Sequence, residues 1–268
     1  MKKYLYLAAA VAAVATPQAA YASLPTDNVW FDLGVFVAHI DSDLRLDNET
    51  LGLEGTRIDF ENDLGLDNSR IMPKATAAAR FLKRFRAQAD WFQLNRSGNL
   101  MLNGQLVIDD TVFPIHAEVD SQFKTNVYRL SLGYSLVRND NAEFGIAAGA
   151  HVAHAKFSVE GKGPLGIGLE EHRSKSAPLP NVGVFGSAKL TGPLWFQAHA
   201  EAFKMKYGNY TGQLFDGEAA LEYRFHHNFG VGLGYRYTNY KVSGRSHSWH
   251  GVLRYDYYGP VAYVELAF

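Results

Sequence analysis

From Asn28 onward the chain repeats one pattern: alternating segments of about ten residues with one apolar or aromatic face, separated by turn residues. In Phe229–Tyr240, residues Phe229, Val231, Leu233, Tyr235 and Tyr237 share one face. Gly230, Gly232, Gly234, Arg236 and Thr238 share the other, because successive side chains of a strand point to opposite sides. The same alternation predicts strands around Phe31–Val37, Ala75–Phe81, Tyr128–Leu136, Phe144–Val152, Leu194–Glu201 and Asp216–Phe225. A soluble sandwich also alternates, but its polar face would meet water. Here the second face mixes Gly and Ala with isolated charges, which suits a crowded, narrow lumen.

Connections alternate in length. Short ones are expected at Lys83-Arg84-Phe85, Arg138–Asn141, Thr191-Gly192-Pro193 and His226-His227-Asn228, and longer ones over 41–71, 98–121, 158–178, 206–212 and 241–248. Aromatic residues sort to segment ends, as two interfacial girdles would require. The fold class implied is all-β, a closed antiparallel transmembrane β-barrel of about ten strands, with eight or twelve as the alternative even counts. Thr56–Phe60 is a candidate extra strand. Gly259-Pro260 reads as a bulge in the last strand, since proline within sheets is confined to bulges and edges.

An N-terminal segment stands apart from this pattern. Lys2 and Lys3 precede an apolar run from Tyr4 to Ala15, and Ala20-Tyr21-Ala22 supplies small residues for cleavage before Ser23. That is the order of a secretory signal, and the run is too short to span a bilayer as a helix. Residues 1–22 are therefore expected to be a signal peptide and 23–268 the barrel. Lys and Arg number 26 against 27 Asp and Glu, and cleavage removes two lysines, so no basic footprint for nucleic acid exists. Without cysteine, a disulfide scaffold, a thiolate metal site and a lipoprotein anchor are excluded.

The chain ends Tyr263-Val264-Glu265-Leu266-Ala267-Phe268. A terminal Phe with Leu266 and Val264 at alternate positions resembles the assembly signal of bacterial outer-membrane β-barrels. The resemblance to small members of that group covers nearly all of 28–268. Gly55-Thr56-Arg57-Ile58-Asp59-Phe60-Glu61-Asn62-Asp63-Leu64-Gly65-Leu66 also looks like a segment common in barrels of unassigned function. The resemblance to outer-membrane barrels implies residence in the outer membrane, contact with its lipid and lipopolysaccharide, recognition by the barrel-assembly machinery through Phe268, Leu266 and Val264, and a monomer.

Charged positions on the expected inner face are Asp32, Arg80, Arg86, Asp90, Arg129, His199, Glu201, Asp216, Glu218, Glu222, Arg224, Arg236, Arg254 and Glu265. A barrel of this size is filled by side chains, and buried charges are normally paired. An ion-paired network is therefore expected from Arg129, Arg224, Arg236 and Arg254 with Asp216, Glu218, Glu222 and Glu201. The other use of such residues is a narrow, charge-selective path. The acidic run from Asp41 to Asp67 lacks the ligand spacing of a calcium loop and reads as a solvated loop or part-strand, so no metal is expected. Gly161-Lys162-Gly163-Pro164 and Gly166-Ile167-Gly168 have no following helix to make a phosphate cradle, and no cofactor is expected. Ser246, His247, Ser248 and His250, or His151 and His154, are the residues a lipid-modifying barrel enzyme could use, but a triad is recognised by geometry rather than residue type.

The function read from the sequence is a non-enzymatic outer-membrane barrel, structural or a narrow pore. The alternatives are a lipid A deacylase- or acyltransferase-like enzyme and a loop-mediated adhesin. Deleting Phe268 should lower outer-membrane levels and leave protease-sensitive chain in the periplasm. Fractionation that finds the truncated protein fully inserted removes the assembly role from this residue.

Overall fold

The structure is a computed structural model that describes residues 24–25, 27–47, 57–101, 106–108, 111–113, 116, 118–162, 168–245 and 250–268. The expected signal peptide and Ser246–Ser248 lie outside these residues. The strands are β1 (Val29–Asp47), β2 (Arg57–Asp59), β3 (Ser69–Phe81), β4 (Phe85–Met101), β5 (Leu106–Ile108), β6 (Thr111–Phe113), β7 (Glu118–Asn139), β8 (Ala142–Lys162), β9 (Gly168–Thr191), β10 (Leu194–Tyr207), β11 (Tyr210–His226), β12 (Phe229–Arg245) and β13 (His250–Ala267).

Eleven strands form one antiparallel sheet. Setting aside β2, which pairs only with Asp43–Arg45 of β1, the remaining ten close a ring. They run in the order β13-β12-β11-β10-β9-β8-β7-β4-β3-β1, with β1 returning to β13. The β1–β13 register extends from Trp30↔Ala267 to Asp47↔His250, and at its foot the Asn28 amide donates to the Phe268 carbonyl at 3.0 Å. The barrel is thus a closed one of ten strands, as the alternation predicts. β2 supplies the short strand expected near Thr56–Phe60, while β5 and β6 form a separate hairpin in the connection from β4 to β7.

Several local expectations change: the long connections expected over 158–178 and 241–248 shorten to 163–167 and 246–249, because β8 runs to Lys162, β9 starts at Gly168, β12 runs to Arg245 and β13 starts at His250. The connection from β10 to β11 is only Gly208-Asn209, with Gly208 at φ 57°, so the chain turns tightly there instead of looping over 206–212. At Gly259-Pro260 the register with β12 runs unbroken through Tyr235↔Pro260 and Arg236↔Gly259, so no residue is inserted. The three register shifts all sit at the short-turn rim, between Leu194/Trp195, Arg224/His226 and Ser135/Val137, where bulges commonly adjust barrel curvature.

Outside and inside divide by parity. Leu33, Leu130, Leu132, Val182, Leu221 and Leu233 point outward and are exposed, Leu233 by 66%. A continuous apolar exterior of this kind needs lipid, not water, around it. Inside, the half toward the short turns is polar. The half toward the long connections holds an apolar cluster that includes Phe36, Ile40, Met72, Phe92, Phe123, Tyr255 and Tyr257. Part of that cluster comes from β2 and the segment after it: Ile58, Phe60, Leu64 and Leu66 are buried in it. The acidic run, expected as a solvated loop or part-strand, is part-strand in β1 and β2, and its residues 57–67 contribute to the barrel's upper plug instead of standing in solvent.

One buried clamp holds this plug to the wall. Arg96 donates to Ser42 Oγ at 2.9 Å and to the Asp67 carbonyl at 2.8 Å, and its guanidinium pairs with Glu61. Glu61 in turn accepts from the Ser42 amide at 3.0 Å and the Ser42 hydroxyl at 2.7 Å. Beside it Gly65 (φ 65°) lies directly over Gly98, so closely that a Cβ on Gly98 would overlap the Gly65 backbone.

Leu233→Arg should destabilise the inserted barrel by about 2–4 kcal/mol if it sits near mid-bilayer. Gly232, on the inner face, abuts the Tyr263 ring so closely that any Cβ would overlap it, and Gly232→Ser should also be destabilising. Folding yields in lipid vesicles check both. Wild-type yield for Leu233→Arg would reverse the face assignment.

Candidate functional site

The polar half of the lumen is built by parity: most strands around the ring aim charged side chains inward, at two levels. At the short-turn end, Arg80 of β3 makes a bidentate pair with Glu143 of β8, at 2.6 and 2.8 Å, and donates to the Asp27 carbonyl at 3.0 Å. Against the far wall, Arg224 of β11 pairs with its strand neighbour Glu222 and with Glu265 of β13, the latter at 2.7 Å. Glu222 also accepts from the Tyr263 hydroxyl at 3.2 Å and from Gln197. At this rim, outside the strands, burial pushes the Asp27 carboxyl up to about 8.

Deeper in the lumen, Arg236 of β12 places two guanidinium nitrogens 2.9 and 3.1 Å from one oxygen of Asp216. Its third nitrogen lies 3.7 Å from Glu218. Lys74 reaches across the barrel from β3 to Glu218 at 2.9 Å. Asp216 is further bonded by Thr238 at 2.5 Å and lies 3.2 Å from the His199 ring. Arg129 of β7 links Glu201 of β10, at 3.0 Å, with Asp90 of β4, at 2.7 Å. Asp90 accepts from Thr76 at 2.8 Å. The His151 ring spans Glu201, at 3.2 Å, and the Tyr240 hydroxyl, at 3.1 Å.

Seven of the eight residues named for the network, Arg129, Arg224, Arg236, Asp216, Glu218, Glu222 and Glu201, meet here. Arg254 does not. It lies on the outer face, exposed, between buried Tyr255 and the loop end of β13. The upper lumen is apolar, so β13 turns its aromatics inward there and its charges outward, opposite to the rule that holds below. Sequence reasoning missed Glu143, which falls between the expected turn and the strand begun at Phe144, although Glu143 keeps the inward parity of Gly145. It also missed Lys74, His151 and the Arg96–Glu61 pair.

Between these clusters lies a cavity of about 80 Å³, bordered among others by Asp32, Lys74, Arg86, Asp90, His199 and Glu218. It is large enough for a few waters, not for a lipid or peptide. Arg86 stacks over the Phe185 ring at 3.3 Å, a contact that favours guanidinium over ammonium. Of the histidines considered for catalysis, His151 is fully buried and committed on both ring nitrogens. His154 is half-buried on β8. Phe268, Leu266 and Val264 are exposed along the outer face of the seam.

No protein-family profile matches the chain, and no curated protein does either. Among solved structures, the outer membrane protease OmpT from Escherichia coli superposes with a TM-score of 0.60 at 13% identity, over 90% of this chain and 97% of that one. The toluene transporter TodX from P. putida covers 92% and 93% at 9% identity with a TM-score of 0.37. Ail, the attachment invasion locus protein of Yersinia pestis, covers 89% and 98% at 13% identity with a TM-score of 0.33. Weight rests on the first alone, and at that identity it is a likeness of fold: the chain has the fold of a bacterial outer-membrane β-barrel.

Arg236→Ala strands Asp216 without its main counter-charge, and breaking a buried pair in this way costs on the order of 3 kcal/mol. Arg254→Ala removes no such contact and should leave stability near wild type. Thermal unfolding in detergent separates the two. Equal melting of both variants would mean that the Arg236–Asp216 pair does not hold the lumen together.

Proposed function

We propose that this barrel, seated in the bacterial outer membrane, works closed, as a structural and surface-presenting protein without an open pore and without enzymatic activity. The observation that carries the reading is the stacking of two seals along one lumen. Cross-barrel ion pairs fill the lower half, and the cluster around Phe92, Phe123, Tyr255 and the inserted Phe60 fills the upper half. An ion path needs polar groups along its whole length or a constriction that can wet. The upper half instead offers packed aromatic and aliphatic side chains, with the Arg96–Glu61–Ser42 clamp as a closed, fully paired polar contact among them.

The alternatives of a narrow pore and of an enzyme have less support. The protease activity in the name of OmpT belongs to that protein. Here, a catalytic histidine would need access to lipid or solvent, and His151 has neither, its ring being buried between Glu201 and Tyr240. Expected partners of the closed barrel are the lipid around it and the assembly machinery that inserts it.

Purified protein in planar bilayers should show no steady single-channel current. The double variant Phe92→Ala/Phe123→Ala, which hollows the upper seal, should admit intermittent leaks. Large, steady wild-type currents would refute the closed reading. Altered acylation of lipid A on expression, read by mass spectrometry, would replace it with the enzyme.

A further inference from the structure

Arg254, found outside the lumen, belongs to a second pattern. Going toward the long connections, the outward apolar run ends on Tyr128 of β7, Val152 of β8, Tyr237 of β12 and Tyr258 of β13. Four residues farther along each of these strands, on the same face, stand Lys124, Lys156, Lys241 and Arg254. Register places Lys124 directly opposite Lys156 and Lys241 directly opposite Arg254. Like charges in that relation destabilise a strand pair. Across the seam Arg254 also faces Asp43 of β1, but that carboxylate is taken up by Arg57 at 2.9 Å, and among the described ion pairs none includes any of the four. The two pairs lie five strands apart in the ring of ten, on opposite walls.

Their height gives the missing partner. Four residues of strand advance ~13 Å, about 10 Å along the barrel axis at the usual tilt. The headgroup zone reaches some 5–8 Å beyond the hydrocarbon edge, and long basic side chains bend back toward it. Resting on the membrane-spanning reading above, we propose that Lys124–Lys156 and Lys241–Arg254 are two binding sites for phosphate-bearing lipid headgroups of the leaflet on the long-connection side. Each pair presents two cations to one phosphate group. Their mutual repulsion becomes shared attraction once the anion sits between them.

The test uses the full mature chain, the charge reversals K124E/K156E and K241E/R254E, and K83E at the opposite rim as a control. All are first folded into neutral phosphatidylcholine vesicles, and insertion is read by heat-dependent gel migration and protease protection. Failure of wild type at this step would count against the membrane reading itself. Folded protein in detergent is then titrated with diphosphorylated lipid A, with its dephosphorylated form and with inorganic phosphate, and bound lipid is counted by native mass spectrometry. The expected result is two diphosphorylated lipids bound per barrel for wild type and K83E, one per barrel for each double reversal because the site on the opposite wall survives, and displacement of the lipid only by high inorganic phosphate. Undiminished binding by both reversals, or equal binding of the dephosphorylated lipid, would overturn the proposal.

Discussion

In hydrocarbon an amide has no water to fall back on, and each unsatisfied backbone group costs several kcal/mol. The β1–β13 seam meets this constraint, and the remaining architecture follows from it. With the seam closed, every ring strand has two neighbours, the exterior can be apolar without exposing backbone, and the interior becomes a space the protein must fill itself. The seam joins the first strand to the last, from Trp30↔Ala267 up to Asp47↔His250.

Filling that space takes two chemistries. Below, cations and carboxylates from non-neighbouring strands meet across the lumen, as in Lys74–Glu218 and Arg129–Glu201. Such pairs add little net stability over well-packed hydrocarbon, but removing one partner is costly, so they specify which strands face each other. Above, side chains pack without charge, apart from the clamp of Arg96 on Glu61. Arg236 stands at the border, with its guanidinium on Asp216 and its carbon centre 4.9 Å from the centre of the Phe92 ring.

Where lipid lies on one side and glycine or charge on the other, as in Phe229–Tyr237, alternation alone states the strand, its faces and its place in a ring. That accounts for the legibility of the fold and of most of the charged lumen. The reading failed where the inner face is itself apolar. In β13 two aromatics turn inward and a charge turns outward, so parity looked broken at Gly259-Pro260 and Arg254 was assigned to the wrong side. Ile58, Phe60, Leu64 and Leu66 were hidden for a similar reason: they are spaced among carboxylates, and composition describes the neighbours, not the direction in which these four point. Glu61 looks like one more solvated acid until Arg96, thirty-five residues away along the chain, is brought beside it.

The upper seal also dictates an order of events. Its members come from β1, β3, β4 and β7 and from Tyr255, Tyr257 and Val261 of β13, so it cannot pack before the chain's final strand has arrived. Contacts between such distant parts of a sequence are intrinsically slow to form. Until then Phe60 and Leu64 have no site, and the segment after β2 stays available to solvent and to proteases. The seating of that segment is thus a late signature of a completed molecule, an internal clock hand that reaches its mark only when the ring has shut.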